Sequence, residues 1–149
     1  MSELVLSEAH LPDLEDAALL FDGYRQFYRY PSDIEACRAY LRERLSHGES
    51  RVFLVRRAGR AVGFMQLYPS FSSLSLRRVW ILYDLFVAVE ARQRGVATLL
   101  LQRAHALARE TGASEVNLAT ALDNRTAQRA YERLGWVRDE EFCYYNLVT

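Results

Sequence analysis

The stretch Arg92-Gln93-Arg94-Gly95-Val96-Ala97 decides how this chain folds. Before it runs Trp80-Ile81-Leu82-Tyr83-Asp84-Leu85-Phe86-Val87-Ala88-Val89, dense in β-branched and aromatic residues, the composition of a buried strand. After it runs Ala97-Thr98-Leu99-Leu100-Leu101-Gln102-Arg103-Ala104-His105-Ala106-Leu107-Ala108, rich in the helix formers Ala and Leu. The hexamer therefore sits at a helix N-terminus, where unpaired backbone N–H groups favour an anion, above all a phosphate. Gly95 has no Cβ and lets that anion approach the main chain.

Outward from this turn, the chain reads as a succession of short elements. Residues 4–7 are a strand, and Pro12 opens a helix through Leu20 with acidic residues in its first turn. An aromatic cluster follows, Phe21, Tyr24, Phe27, Tyr28 and Tyr30, broken by Pro31. Ser32-Asp33-Ile34-Glu35 has the form of a capping box and starts a second helix, which runs through about Ser46 with Ile34, Cys37, Leu41 and Leu45 on one side. Residues 51–57 and 61–68 are strands joined by a hairpin at Gly59, and residues 69–73 are a loop. The long strand covers residues 77–89, and the helix after it stops at Gly112. Residues 115–120 form a strand, and Asp123-Asn124 caps a last helix ended by Gly135. Residues 136–137 and 142–148 are closing strands. The order β-α-α-β-β-β-α-β-α-β-β is an α/β pattern with a mixed sheet.

Composition sets outer bounds. The 149 residues match one domain, half of them hydrophobic and with zero formal net charge. That balance argues against nucleic-acid binding, since a basic surface would be needed. No basic start precedes a long apolar run, and no apolar run reaches the ~18 residues that span a membrane, so the expected location is the cytoplasm. Cys37 and Cys143 lack metal-type spacing and read as reduced thiols. His10, His47 and His105 are scattered, and no metal site is expected.

The order of elements, with Arg92-Gln93-Arg94-Gly95-Val96-Ala97 matching Gln/Arg-x-x-Gly-x-Gly/Ala, resembles the GNAT family of N-acetyltransferases over nearly the whole chain. A second motif of that family, an Asn seven residues before a Tyr on the last helix, is matched by Asn124 and Tyr131. Leu134-Gly135-Trp136 closes that helix where the family commonly has Gly-Phe. Tyr83-Asp84-Leu85-Phe86-Val87 is most similar to the polyamine/histone-type members. Where the polyamine enzymes carry a Glu, however, this chain has Tyr83, which counts against polyamine specificity.

The resemblance implies a mixed, mostly antiparallel sheet of six to seven strands flanked by four helices. It implies acetyl-CoA as cofactor, held by residues Arg92, Gln93, Arg94, Gly95, Val96, Ala97 and Thr98: backbone amides from Arg94 to Thr98 would cradle the pyrophosphate, and Arg92 and Arg94 would add positive charge. The pantetheine arm would pair with the main chain of Phe86, Val87 and Val89 like an added strand. A bulge near Phe86 or Val87 would free an amide for the thioester carbonyl, and Asn124 would complete the cofactor site. It implies Tyr131 as the acid for the leaving thiolate, against a plainly packed helix residue. It also implies a primary amine acceptor, a small molecule or a protein amine, and a homodimer through the last strands.

Other residues leave alternatives open. Asp84 is an unusual charge in an apolar strand. It binds the acceptor ammonium, takes its proton through water, or caps a loop. Strand alternation puts Asp84 and Phe86 on one face and Tyr83 and Leu85 on the other, unless a bulge disturbs it. The cluster Tyr24, Phe27, Tyr28 and Tyr30 lies where the resemblance places the acceptor site and lines a cation-friendly pocket, or it is core packing; Tyr24, Tyr28 and Tyr83 are the expected acceptor contacts. Arg125, Arg129 and Arg133 are a solvated stripe or a contact for the 3′-phosphate. Neither cysteine lies in a motif, which favours direct attack in a ternary complex over an acyl-enzyme. A non-catalytic acyl-CoA sensor is the remaining alternative.

Overall fold

A computed structural model describes residues 3–149 and divides into two compact units, Met1–Leu118 and Ala119–Thr149. The first unit holds one five-stranded sheet in the order β1-β2-β3-β4-β5: β1 Leu4–Glu8, β2 Arg51–Arg57, β3 Arg60–Ser72, β4 Arg77–Val87 and β5 Val116–Leu118. The first four strands pair antiparallel and β5 joins β4 in parallel. Helices α1 Leu14–Phe27 and α2 Ile34–Ser46 cover one face and α3 Val96–Glu110 the other, which explains why residues 52–55 of β2 are all buried. On the α1–α2 face, Leu14, Ala17, Ala18, Phe21, Cys37 and Leu41 close over Val52, Leu54 and Phe64. Helix α3 buries Val96, Leu100, Leu101, Ala104, Leu107 and Ala108, the spacing of a single apolar stripe.

Asp22 holds the α1–α2 connection. Its buried carboxylate accepts from Gln26 Nε2 (3.0 Å), Ser32 Oγ (2.7 Å), the Asp33 N–H (2.8 Å) and Cys37 Sγ (3.8 Å). Burial pushes the carboxyl up, but the bonds from Ser32, Asp33 and Cys37 outweigh it and hold it below the ordinary value. The helix cap is Asp33, which accepts from the Ala36 N–H, while Ser32 serves Asp22 instead.

Three expectations are corrected in the sheet. Residues 69–73 are not a loop: β3 continues through Ser72, with Pro69 opposite Trp80. Proline is tolerated because β2 ends opposite Leu67, so beyond that point β3 has no neighbour on that side to receive an N–H. The bulge is not at Phe86 or Val87. Gln66 faces Asp84 and Leu67 faces Leu82, which leaves Tyr83 as the extra residue. The sheet has five strands rather than six or seven, because residues 136–149 form no ladder among the described residues. Their apolar alternation suits a strand, but a strand exists only through a partner, and Phe142, Tyr144, Tyr145, Leu147 and Val148 are exposed.

The second unit contains α4 Arg125–Arg133. It is capped by Asn124, whose Oδ1 accepts from the Ala127 N–H at 3.2 Å, and closed at Gly135 with φ +95°. Among the described residues, no helix is long and apolar enough to cross a membrane.

Candidate functional site

The site grows from the end of β4. Strand β5 pairs with β4 only from Trp80 to Leu82, so residues 83–87 carry an edge with no strand beside it among the described residues. Ala88 donates to Val62 of β3 at 2.8 Å, and by alternation the main-chain groups of Val87 and Leu85 point to the open side. Val87 O accepts there from Arg92 Nε at 3.1 Å. Of the expected pairing residues, Val87 presents its peptide groups to the open edge. Phe86 faces β3, and Val89 lies beyond the strand in a single 3-10 turn. Leu85, not anticipated from the sequence, shares this open edge with Val87.

Residues 92–95 form the turn into α3. Gln93 has φ +62° and Gly95, the helix N-cap, φ +86°, with nothing within 4 Å of where its Cβ would be. Among the described residues no side chain caps this helix, so the N–H groups of Val96, Ala97 and Thr98 are the ones its first turn leaves for an outside acceptor. Val96 anchors the turn from below, buried against Gly63 of β3, where a Cβ would come within 2.5 Å of Val96 Cγ1. Arg94 is exposed beside the turn, whereas Arg92 lies with its guanidinium 5.9 Å from the rings of Phe27 and Phe86.

Asp84 lies three residues before Val87, or about 10 Å up the strand. The bulge at Tyr83 breaks the alternation, and both Tyr83 and Asp84 turn toward α1 and α2. Asp84 is buried and accepts from Gln66 Nε2 at 2.6 Å; Gln66 Oε1 in turn accepts from Ser50 Oγ at 2.7 Å. Tyr24 of α1 donates its hydroxyl to Tyr83 O at 2.9 Å and touches the same carboxylate. Burial pushes the Asp84 carboxyl up to about 6, against the hydrogen bonds from Gln66 and Tyr24 that pull it down. Among the described residues, no cation forms an ion pair with Asp84.

Aromatic rings surround this carboxylate. Tyr24 stacks edge-on to Tyr28 at 5.1 Å, Tyr83 to Tyr68 at 5.7 Å, and the Tyr68 and Tyr40 hydroxyls meet at 2.6 Å. Burial raises the phenols of Tyr24 and Tyr68 well above the ordinary tyrosine range, and the Asp84 charge adds to this in both. The structure thus brings Tyr24, Tyr83 and Asp84 together, with Tyr28 behind Tyr24. Gln66, Ser50, Tyr40 and Tyr68 were not anticipated. The only sequence signal for Gln66 was a polar residue inside the apolar run Phe64-Met65-Gln66-Leu67.

In the second unit, Tyr131 is half-buried on α4 with its ring 6.1 Å from that of Trp136. Cys37 is buried and Cys143 exposed, both as free thiols.

The model of the acetyltransferase (GNAT) family matches residues 17–136. The chain is 40% identical over 142 residues to the uncharacterized N-acetyltransferase YhfO of Bacillus subtilis (strain 168), covering 95% of each protein. It superposes on the crystal structure of a probable acetyltransferase with TM-score 0.92 and 46% identity, covering 97% of both chains. An aminoglycoside N-acetyltransferase solved in complex with CoA shares the fold, with TM-score 0.82, 23% identity and coverage of 99% of this chain and 96% of that one.

Proposed function

Because the chain belongs to the acetyltransferase (GNAT) family, we propose that it moves an acetyl group from acetyl-CoA to a primary amine by direct attack, with both bound at once. Acyl transfer and the use of acetyl-CoA follow from the family itself. We read residues 1–149 as one N-acetyltransferase domain that works in the cytoplasm.

The residues present fit the cofactor. The N–H groups of Val96, Ala97 and Thr98 stand open above a left-handed Gly95, as a diphosphate requires. The bare edge of β4 offers Leu85 and Val87 to an extended amide-bearing arm. When bound, the cofactor supplies an acetyl thioester. Leu85, the first open-edge residue after the bulge, then offers its N–H to the carbonyl oxygen, where negative charge builds. Arg94 adds positive charge beside the phosphates, and Arg92 does so after leaving Val87 O.

Asp84 receives the acceptor ammonium and takes its proton. A carboxyl near 6 is ionised at pH 7 yet close enough to neutrality to accept a proton well. Tyr24, Tyr28 and Tyr83 hold the cation over their rings. Tyr131 is assigned the return of a proton to the leaving sulfur, a task open to a phenol, whose reference pKa is ~10 against ~8.5 for a thiol. Cys37 is excluded as an acyl carrier by its burial and its bond to Asp22.

The observation that carries this reading is Asp84, a buried carboxylate without a cation, next to the bare edge of β4. A single carboxylate with aromatic walls favours a small monoamine. Phe27 and Tyr83 are 55% and 65% exposed, which favours a protein lysine or N-terminus as the second reading. The exposed segment 142–148 would pair two copies in a homodimer. Purified protein is given acetyl-CoA and a panel of small amines and peptides while thiol release is followed. Release with a monoamine supports the assignment. Tight CoA binding without release for any amine overturns it in favour of a sensor.

A further inference from the structure

We propose that Gln66 is a positioning residue, which aims the Asp84 carboxylate at the acceptor and is itself held in orientation by Ser50. This rests on Asp84 receiving the acceptor proton, as set out above.

Gln66 is fully buried on β3, opposite Asp84 in the register, inside a run whose neighbours are Phe64, Met65 and Leu67. A buried amide needs partners for both ends, since a donor or acceptor taken from water without a replacement bond destabilises the fold. Ser50, at the foot of β2, donates its hydroxyl to Gln66 Oε1 at 2.7 Å. That choice leaves Nε2 facing β4, where it donates to Asp84 Oδ2 at 2.6 Å. Among the described residues, no buried side-chain polar atom is left without a partner, so the chain Ser50–Gln66–Asp84 is closed at every link. One Asp84 oxygen is thereby fixed to the sheet.

The bulge gives this arrangement its purpose. Without the extra residue at Tyr83, alternation would leave Asp84 in a regular ladder. With it, the strand is kinked at the point where the carboxylate must be aimed. Gln66 restores the fixed direction that the kink removes. A base that serves a reaction must be held within a fraction of an ångström of its productive geometry, and an aspartate with two free torsions is not.

The titratable groups that face Asp84 are phenols: Tyr24 from α1, Tyr68 from β3 and Tyr83 from its own strand. Tyr40 of α2 lies behind Tyr68 with the Arg44 guanidinium over its ring, and Arg44 is itself paired with Glu43 and Glu49. The raised phenols stay neutral through pH 5–8, so an acid limb in that range belongs to Asp84.

The test compares kcat/KM against pH for one fixed amine in the wild type, Gln66→Met, Ser50→Ala and Asp84→Asn. Methionine has nearly the length of glutamine and suits the apolar surroundings, but it donates nothing. Gln66 stabilises the charged carboxylate, so its loss moves the acid limb to higher pH by about one unit, the worth of one hydrogen bond to a charge. Ser50→Ala leaves Gln66 Oε1 without its donor, loosens the amide and weakens its Nε2 bond to Asp84, which moves the limb the same way, by less. Both lower kcat, with the acetyl-CoA KM unchanged. An unmoved limb in Gln66→Met, with Asp84→Asn inactive, overturns the positioning role and leaves Asp84 in place. An active Asp84→Asn with the wild-type profile instead overturns the base assignment. Should Gln66→Met fail to fold, Ser50→Ala decides: an unmoved limb there overturns the proposal.

Discussion

Gly63 of β3 and Val96 of α3 meet so closely that a Cβ on the glycine would lie 2.5 Å from Val96 Cγ1. Val96 is the first residue of the helix whose N-terminus is the candidate phosphate cradle, so the depth of that contact sets where the cradle stands. Gly63→Ala forces the first turn outward. The expected result is a loss of about 1–3 kcal/mol of stability from overpacking, measured by denaturant unfolding. Calorimetry should also give CoA binding weakened by at least tenfold, whereas Gly59→Ala, at a hairpin with open space around it, leaves CoA binding unchanged.

Asp84→Asn trades activity for stability. The carboxyl has an ordinary value of 3.8 and rises to about 6 on folding, so the folded chain holds the proton more tightly than the unfolded one. Below pH 3.8 both are protonated and nothing is lost. Between about 4 and 6 the unfolded chain ionises first and stability falls; above 6 the full cost remains, roughly 3 kcal/mol at most. The variant should therefore melt a few degrees higher than wild type at pH 7.5, with no difference below pH 4, and acetyl transfer should fall by a hundredfold or more. A variant that melts lower at pH 7.5 contradicts the cost assigned to this charge.

Tyr131→Phe should slow turnover by about a hundredfold or more, the lower end of the range for acid–base groups, while the KM for acetyl-CoA stays put. The loss should shrink with an acyl thioester whose thiol has a lower pKa and needs no acid. An unchanged rate removes Tyr131 from the chemistry.

All nineteen Lys-or-Arg positions are arginine, and the sequence contains no lysine. A guanidinium does not lose its proton at accessible pH and is not an acceptor. Prolonged incubation with acetyl-CoA should therefore add at most one acetyl group per chain, at the α-amino terminus, as read by intact mass. A second acetyl would mean transfer to a hydroxyl or thiol.

The turn at Arg92 and the cap at Asn124 were legible because each is a local rule, a glycine at a left-handed position or an amide at a helix start. Asp84 stood out because a carboxylate in an apolar strand is costly. Tyr24 stood out with it, as part of the aromatic cluster, but Gln66 did not. Gln66 is eighteen residues away, and its role depends on a strand register that only the folded sheet supplies. The bulge was expected but placed too late, since Tyr83 carries no signal of its own. Pro69 read as a break because the early end of β2 cannot be seen from β3. Residues 142–148 have the pattern of a strand, and pattern alone does not provide a neighbour.

The extra residue at Tyr83 makes β4 a splice between two lengths under different rules. Up to Leu82 the strand is shared with β5 and answers to the packing of the sheet. From Asp84 onward it answers to whatever lies along its bare side. Substitutions on the far side of the splice therefore leave the length shared with β5 as it is.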